Sequence, residues 1–344
     1  MKSVYVADLA ADQTVTSFFL VNEKEVRTGN SGKPYLRLAL GDRTGVIEAR
    51  MWDSFEKDAA TFSRDDVVKI QGRVDLYRGK TQLIVDRVRL ASPEEVQLDD
   101  FFPHTREDVD KLYAQLRESV AGVANPFLNK LLVSVIEDPE IVPRLKRAPA
   151  AKTMHHAFLG GLLEHIVSLC GLCRVVAAHY PEADPDLLLT AAVLHDIGKI
   201  DELTYDRSIG YTTEGQLLGH IVMAIELINA KIAAIEGFPH ELKIVILHLL
   251  ISHHGRYEFG SPKLPMTREA VLFHYIDDLD SKMGAMRLSL EGVRAGEDWT
   301  ERNAALDRRL LRLDRYLRGE VDDTEEAAAP VQLSLTPPDG RKEG

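Results

Sequence analysis

Hydrophobic and polar positions follow two different periods along this chain, and the change comes near residue 100. Pro34 to Leu40 alternates residue by residue, as do Val46 to Trp52 and Val67 to Leu76, the pattern of strands with one buried face. Asn30-Ser31-Gly32 and Gly41-Asp42 supply turns between them, and Arg78-Gly79-Lys80 leads into a further strand from Gln82 to Leu90. From Thr105 onward apolar residues recur at i, i+3 and i+4. That spacing predicts helices over 105–121, 127–137, 155–180, 185–197, 215–235, 239–253, 267–295 and 299–318. Ser92-Pro93 and Phe101-Phe102-Pro103 bracket the change of period. After Gly319 the composition turns to Asp, Glu, Ala and Pro, which predicts a disordered tail.

The fold class that follows is multidomain α and β, an antiparallel β-barrel of OB type followed by an all-α domain. We expect the barrel over 1–92, a linker and helical connector over 93–150, the helical domain over 151–295, a C-terminal helix over 296–318 and the tail over 319–344. Alternation sorts the barrel's side chains. Leu36, Leu38 and Leu40 share one face, with Tyr35 and Arg37 on the other. Ile47, Ala49 and Met51 oppose Glu48, Arg50 and Trp52, and Val68, Ile70 and Val74 oppose Lys69, Gln71 and Arg73. The outer face therefore mixes bases with aromatics, as a single-strand platform requires, with Tyr35, Arg37, Arg50, Trp52, Lys69 and Arg73 as its candidate contacts. A solvated barrel exterior is the plain alternative.

Composition narrows the setting. The chain has 344 residues, 45% hydrophobic and 28% charged, enough for a substantial core in a soluble protein. No uninterrupted apolar run nears the ~18 residues of a membrane span, and Met1 to Asp8 lacks an apolar signal core. Two cysteines, Cys170 and Cys173, support no disulfide framework, so cytoplasmic residence without membrane association is expected. Their C-x-x-C spacing has no second pair and falls on an apolar helix, which predicts buried thiols. Gly29 to Pro34 lacks the Gly-Lys-Ser/Thr ending of a phosphate loop and reads as a hairpin loop. The net charge of -12 argues against indiscriminate nucleic-acid binding, yet it is uneven. Residues 1–92 carry 15 Lys and Arg against 13 Asp and Glu, whereas 319–344 carry 2 against 7. The Arg308 to Arg315 segment gives the last expected helix a basic side, most simply a solvated one.

The chemistry lies in the second half. His165, His195-Asp196, His220, His253-His254 and Asp277 all fall in segments that otherwise read as apolar helix. Burying these groups costs several kcal/mol unless each finds a partner. Any one of them alone reads as a satisfied core histidine or a helix-end hydrogen bond, with Gly198 as a C-cap. Together they are a ligand set for divalent metal. Asp278 or Asp280 could take the place of Asp277, since a register error of one is easily made. Lys199, one turn from His195 and Asp196, adds the cation that a phosphate-cleaving site needs. Divalent ions activate water for attack on phosphorus near neutral pH, so the set reads as a metallophosphohydrolase. His155 and His156 either line the cleft or orient other groups, or simply begin a solvated helix.

His165, His195-Asp196-x-Gly-Lys199, His220, His253-His254 and Asp277, in that order, resemble the HD-domain metallophosphohydrolase superfamily in its two-metal form, over roughly residues 150–290. With the barrel in front, the whole chain is similar to the YhaM-type 3′→5′ exoribonuclease family. Met154 to Phe158 followed by Gly160 to His165 strengthens that match. The resemblance implies that His165, His195, Asp196 and Asp277 hold one metal. Asp196 would bridge to a second ion completed by His220, His253 and His254, and Lys199 would contact the scissile phosphate. It implies Mn²⁺ or Co²⁺ as activator, and the mixed nitrogen and oxygen ligands also suit Fe or Zn. Single-stranded RNA is the implied partner, with single-stranded DNA as a second candidate, and nucleoside 5′-monophosphates are the implied product. Homo-oligomerisation, up to a hexamer, rests on the resemblance alone. Two departures sharpen it. Gly161 stands four before His165, where a third metal would need an acid, and His253-His254 continues into Gly255 to Pro262 without the Gly-Tyr-Pro of cyclic-dinucleotide enzymes. Two rivals stay open. One is a phosphohydrolase of nucleotides or cyclic nucleotides with a regulatory barrel. The other is a non-catalytic single-strand-binding protein, which the filled ligand positions and Lys199 count against.

Overall fold

The computed structural model describes residues 2–29, 32–77, 79–151, 158–205, 209–293 and 296–318. The chain divides into two compact units, residues 1–284 and 285–344.

The alternating half becomes a closed five-stranded barrel in the order β1-β2-β3-β5-β4, from β1 (Thr14–Thr28), β2 (Pro34–Asp42), β3 (Gly45–Met51), β4 (Val67–Tyr77) and β5 (Lys80–Leu90). Its long first strand closes the barrel by pairing with β2 along its second half and with β4 along its first, and a bulge at Val21/Glu23 lets it bend between them. Only the β3–β5 pair is parallel. At Gly72 a Cβ would stand 2.2 Å from the Ile84 carbonyl oxygen, so glycine is needed where β4 shifts register against β5. Leu36, Leu38, Leu40, Ala49, Val68, Ile70 and Val74 are wholly buried inside. Between β3 and β4, α1 (Phe55–Ala59) plugs one end with Phe55 and Phe62. The Lys24 ammonium donates to the Ala59 and Phe62 carbonyls there.

The segment expected as a linker is tied down instead. Phe101 and Phe102 are 3% and 4% exposed and join Phe18 and Leu20 of β1 in the same apolar cluster as the helices that follow. Barrel and helices thus share a core, because the β1 aromatics that point away from the barrel interior need cover.

The helices are α2 (Val109–Ala121), α3 (Pro126–Ile136), α4 (Ile141–Leu145), α5 (Gly161–His179), α6 (Pro185–Leu194) and α7 (Lys199–Glu202), then, after a short hairpin of β6 (Leu203–Thr204) and β7 (Gly210–Tyr211), α8 (Thr213–Ala233), α9 (His240–Ser252), α10 (Arg268–Glu291) and α11 (Leu313–Arg318). Asp108, Asn125 and Asp184 cap α2, α3 and α6, each accepting two backbone N–H bonds; α2 so starts four residues later than periodicity alone suggests, α3 one earlier and α6 where expected. By length and mean hydropathy, 1.6 and 1.3, α5 and α8 could cross a membrane. Here they carry His165 and His220 on buried faces.

Two expectations are corrected. No helix runs over 299–318, since only Leu313–Arg318 is helical. Trp299 and Leu311, and Asn303 and Arg308, instead pair as bridges. The cause is Asn303, whose side chain accepts from Leu306 N–H and donates to the Ala285 carbonyl and Ser289 hydroxyl, competing with helix formation. Asp307, at a φ of 53°, completes the turn, so Arg308 to Arg315 is not a basic helix face. The tail over 319–344 lies outside the described residues.

Candidate functional site

α6 delivers His195 and Asp196 at its end. Every residue from Leu188 to Leu194 is buried, which fixes the helix axially. Gly198 does not cap it in the left-handed region as expected, since its φ is -64°. Its use is close approach, because a Cβ there would lie 2.1 Å from the His220 carbonyl oxygen on α8. In α8 itself Gly219, at φ 75° and ψ 158°, kinks the helix and turns His220 inward. α9 ends at His253, and Gly255, at φ 75°, closes the turn so tightly that a Cβ would sit 2.2 Å from the His274 ring on α10. α10 also brings Asp277 and Asp280, one turn apart on the same side.

Each of the five imidazoles has Nδ1 against an oxygen that can only accept. His165 donates to Asp280 at 2.8 Å, His195 to the Ala192 carbonyl at 3.2 Å and His220 to Glu202 at 3.2 Å. His253 and His254 donate to the Leu250 and Phe259 carbonyls, both at 2.7 Å. The proton is therefore on Nδ1 and the Nε2 lone pairs are presented inward. They converge on the two oxygens of Asp196. Oδ2 lies 3.2 Å from His195 Nε2 and 3.9 Å from His165 Nε2, whereas Oδ1 lies 3.3 Å from His220 Nε2 and 3.8 Å from His253 Nε2. Asp277 Oδ1 joins the first group, 3.2 Å from His165 Nε2. Two trios result, His165–His195–Asp277 and His220–His253–His254, each with ligand atoms within 4.8 Å of one another.

Among the described residues, Nε2 of His195, His220 and His253 and Oδ1 of Asp196 are buried with no hydrogen-bond partner. Each such orphan costs about 1–3 kcal/mol. Divalent cations relieve all four, and nitrogen with carboxylate oxygen is a donor set for transition metals. Residues and group fit. These clusters therefore fit divalent metal ions.

Electrostatics agree. Burial and then the neighbouring His254 and His195 hold His253 well below the ordinary imidazole value. Burial and His220 lower His254 as well, which favours for both the neutral form that ligates. His165 is the exception: burial opposes its charge, but hydrogen bonds to Asp277 and Asp280 push it up to about 9, so its Nε2 must give up a proton before it can ligate. Burial also opposes ionisation of Asp196, yet His195 and Lys199 keep it well below the carboxylate range. Lys199 Nζ donates to Asp196 Oδ2 at 2.6 Å, and that charge holds the ammonium above its ordinary value despite burial. Beside them opens a cavity of about 310 Å³, with Lys199, His254, Phe259, Asp277 and Asp278 on its walls.

The seven expected ligands thus come together. Of the three acids on α10, Asp277 reaches the Nε2 side, Asp280 holds His165 Nδ1, and Asp278 pairs with Lys282 at 2.6 Å. His155 and His156 lie outside the described residues. Cys170 and Cys173 are buried thiols on α5, and burial pushes Cys170 up to about 12. Thr28 and Pro34 pair at the facing ends of β1 and β2, and Gly29 N–H donates to the Lys33 carbonyl at 2.9 Å, in keeping with the hairpin loop expected there; Asn30 and Ser31 lie outside the described residues. Sequence reasoning missed Glu202, which accepts both the backbone N–H and Nδ1–H of His220, and Ser168, which donates to Asp280 at 2.5 Å. No spacing signals either, because each acts on a group brought in from another helix.

On the barrel the structure gathers five of the six expected contacts. Tyr35 and Trp52 stack at 4.5 Å with 29° between planes, and the Arg50 guanidinium lies 5.9 Å from Tyr35 and 5.4 Å from Tyr77, a residue not expected there. Arg37 faces Arg50 across β2 and β3, and Arg50 and Arg73 both register with Ile84, so the row continues over β5 to β4. Lys69 is apart. It lies four residues, roughly 13 Å, from Arg73 along β4 and sits over the Phe18 ring at the shared core.

Comparison with known proteins fits this architecture. The HD domain family matches residues 162–282, and the OB-fold nucleic acid binding domain family matches 21–91. The 3′-5′ exoribonuclease YhaM of Bacillus subtilis is 38% identical over 299 residues, 86% of this chain and 94% of that protein. Its namesake from Oceanobacillus iheyensis is 39% identical over 297 residues, 86% and 92% of the two chains. Among solved structures, the second OB-fold domain of replication protein A from Methanococcus maripaludis aligns with 26% of this chain and 94% of its own, at 18% identity and a TM-score of 0.22. With an OB barrel, an HD helical region and relatives of this identity along nearly their whole length, the chain belongs to the YhaM family of 3′-5′ exoribonucleases.

Proposed function

We propose that the protein is a metal-dependent 3′→5′ exoribonuclease that shortens single-stranded RNA from its free 3′ end and releases nucleoside 5′-monophosphates. Single-stranded DNA is the second substrate this reading admits. The observation that carries it is the convergence of buried Nε2 atoms on both oxygens of Asp196, beside a cavity walled by Lys199. His165, His195 and Asp277 would hold one ion and His220, His253 and His254 the other, with Asp196 shared between them. Mn²⁺ or Co²⁺ are the ions the family resemblance implies, and Fe or Zn would also suit the donor set. What they supply is water activated near neutral pH and positive charge opposite the attacking and leaving oxygens. The protein's own share is position. Asp280, Glu202 and three carbonyls keep the rings from rotating, so ligand geometry is set before substrate arrives. Lys199 would hold a non-bridging phosphate oxygen as a point charge. Upstream, the Tyr35–Trp52 stack offers a face to bases of any sequence, and Arg37, Arg50 and Arg73 would exchange carboxylate partners such as Glu23 and Glu48 for phosphates. Cytoplasmic residence goes with this reading, since both cysteines are free thiols.

The test uses Mn²⁺ and a 5′-labelled RNA with a single-stranded 3′ end, run beside Asp196→Ala. A ladder that shortens from the 3′ end, absent in the variant, is expected. Hydrolysis of small nucleotides with intact RNA would transfer the protein to the nucleotide phosphohydrolases.

A further inference from the structure

The Gly255-Arg256-Tyr257-Glu258-Phe259-Gly260 segment follows the C-terminus of α9. It does more than turn the chain. Phe259 is 54% exposed, yet it stands on the wall of the cavity that Asp196, Lys199 and His254 also line. Single exposed aromatics are ordinary on protein surfaces, so exposure alone says little. The setting of this one is different. Its carbonyl accepts the His254 Nδ1–H at 2.7 Å, and its N–H donates to the Arg256 carbonyl at 3.1 Å. Gly255 and Gly260, at φ 75° and 83°, hold the two ends of the loop in the left-handed region. Buried Ser261 ties the exit down through bonds to the Ile251 and Lys263 carbonyls, at 3.0 and 2.7 Å. A large apolar ring is thus fixed in place beside the reacting groups and left half uncovered. The Arg256 guanidinium, 5.6 Å from its centroid, approaches one side.

An exonuclease that shortens any sequence must hold the terminal nucleotide without reading it. Base-edge hydrogen bonds discriminate, whereas stacking does not, because every base has a π-face. Resting on the exoribonuclease reading above, we propose that the Phe259 ring is the stacking surface for the base of the 3′-terminal nucleotide. Through its carbonyl the same residue orients His254, so base position and ligand position are set by one rigid loop.

The test is a cycle between protein and substrate, measured as single-turnover removal of the last nucleotide with Mn²⁺. Two RNAs are used, identical except that one ends in a ribose without its base. Wild type should be ~10-fold slower on the abasic end. Phe259→Leu, which keeps apolar bulk and the carbonyl, should lose a similar factor on the normal end and almost nothing further on the abasic one. Phe259→Trp should restore most of the rate on the normal end. Equal losses from Phe259→Leu on both RNAs would overturn the proposal, because the ring would then act only through His254. Indifference of wild type to the missing base would overturn it too. Failure of wild type to shorten either RNA would instead sink the exoribonuclease reading itself.

Discussion

Removing the Glu202 carboxylate separates the orientation of a metal ligand from the ligand itself. Glu202 is 8% exposed at the end of α7, and its Oε1 accepts the backbone N–H of His220 at 3.0 Å and the ring Nδ1–H at 3.2 Å. The Gly219 kink takes this N–H out of the regular helix, and Glu202 gives it an acceptor. Glu202→Ala leaves two buried donors unsatisfied, at about 1–3 kcal/mol each, so roughly 2–6 kcal/mol of stability is at stake before water enters the gap. The imidazole also loses the restraint that aims Nε2 at Asp196 Oδ1. Loss of such an outer partner typically weakens metal binding about 10- to 100-fold, or about 1.4–2.8 kcal/mol. Glu202→Gln keeps an acceptor oxygen of the same reach and should stay within a few-fold of wild type. Calorimetric titration of metal-free protein with Mn²⁺ gives the affinities, and scanning calorimetry of the same samples gives the stabilities. Wild-type Mn²⁺ affinity in Glu202→Ala would refute the reasoning. So would a Gln variant as impaired as the Ala variant, since charge rather than orientation would then be what matters.

Trp52→Ala removes half of the Tyr35–Trp52 stack and should weaken binding of a single-stranded oligonucleotide by about 5- to 100-fold, while cleavage of a dinucleotide is unchanged. Fluorescence anisotropy and a short-substrate assay read the two. Gly255→Ala combines a left-handed φ of 75° with a Cβ 2.2 Å from the His274 ring, so it should cost about 2–5 kcal/mol in urea denaturation. A cost under 1 kcal/mol would show that the turn opens freely. Cys170 and Cys173 should be inert to a thiol reagent at pH 8 in the native state and both react once unfolded. Because burial raises Cys170 from 9.0 to about 12, its stabilising contribution is complete below pH 9 and declines as pH rises toward 12, when the unfolded thiol ionises first. A stability that grew over that range would have the sign wrong.

The barrel was legible because period-2 alternation maps directly onto inside and outside. Leu36, Leu38 and Leu40 are buried as read, and Tyr35 and Trp52 meet on the outside. Lys69 satisfied the same parity and still went elsewhere, since parity fixes the face of a strand but not the position along it. The ligands were legible because histidine and aspartate are conspicuous in apolar helices. Their partners were not, because Glu202 looks like an ordinary surface acid until the tertiary packing sets it against His220, and Asp280, read only as an alternative ligand, instead holds the Nδ1 side of His165. The 299–318 segment failed for a local reason, an asparagine that bonds its own neighbourhood more readily than a helix does.

One regularity at the site joins helix-end physics to metal chemistry. His195 and His253 stand at the C-caps of α6 and α9, and each ring donates Nδ1–H to the carbonyl three residues back, Ala192 and Leu250. The last turn of a helix leaves carbonyls without acceptable donors, and these imidazoles satisfy one in each helix. The bond that finishes the helix therefore also fixes the tautomer and turns Nε2 outward along the axis. Two helix C-termini, each carrying about half a negative charge, point at the same place. A cation there gains from both dipoles as well as from Asp196 and Asp277, while a carboxylate or cysteine substituted at either cap could ligate but would leave the carbonyl orphaned. Histidine serves at both positions because it alone can donate from one ring nitrogen and coordinate through the other.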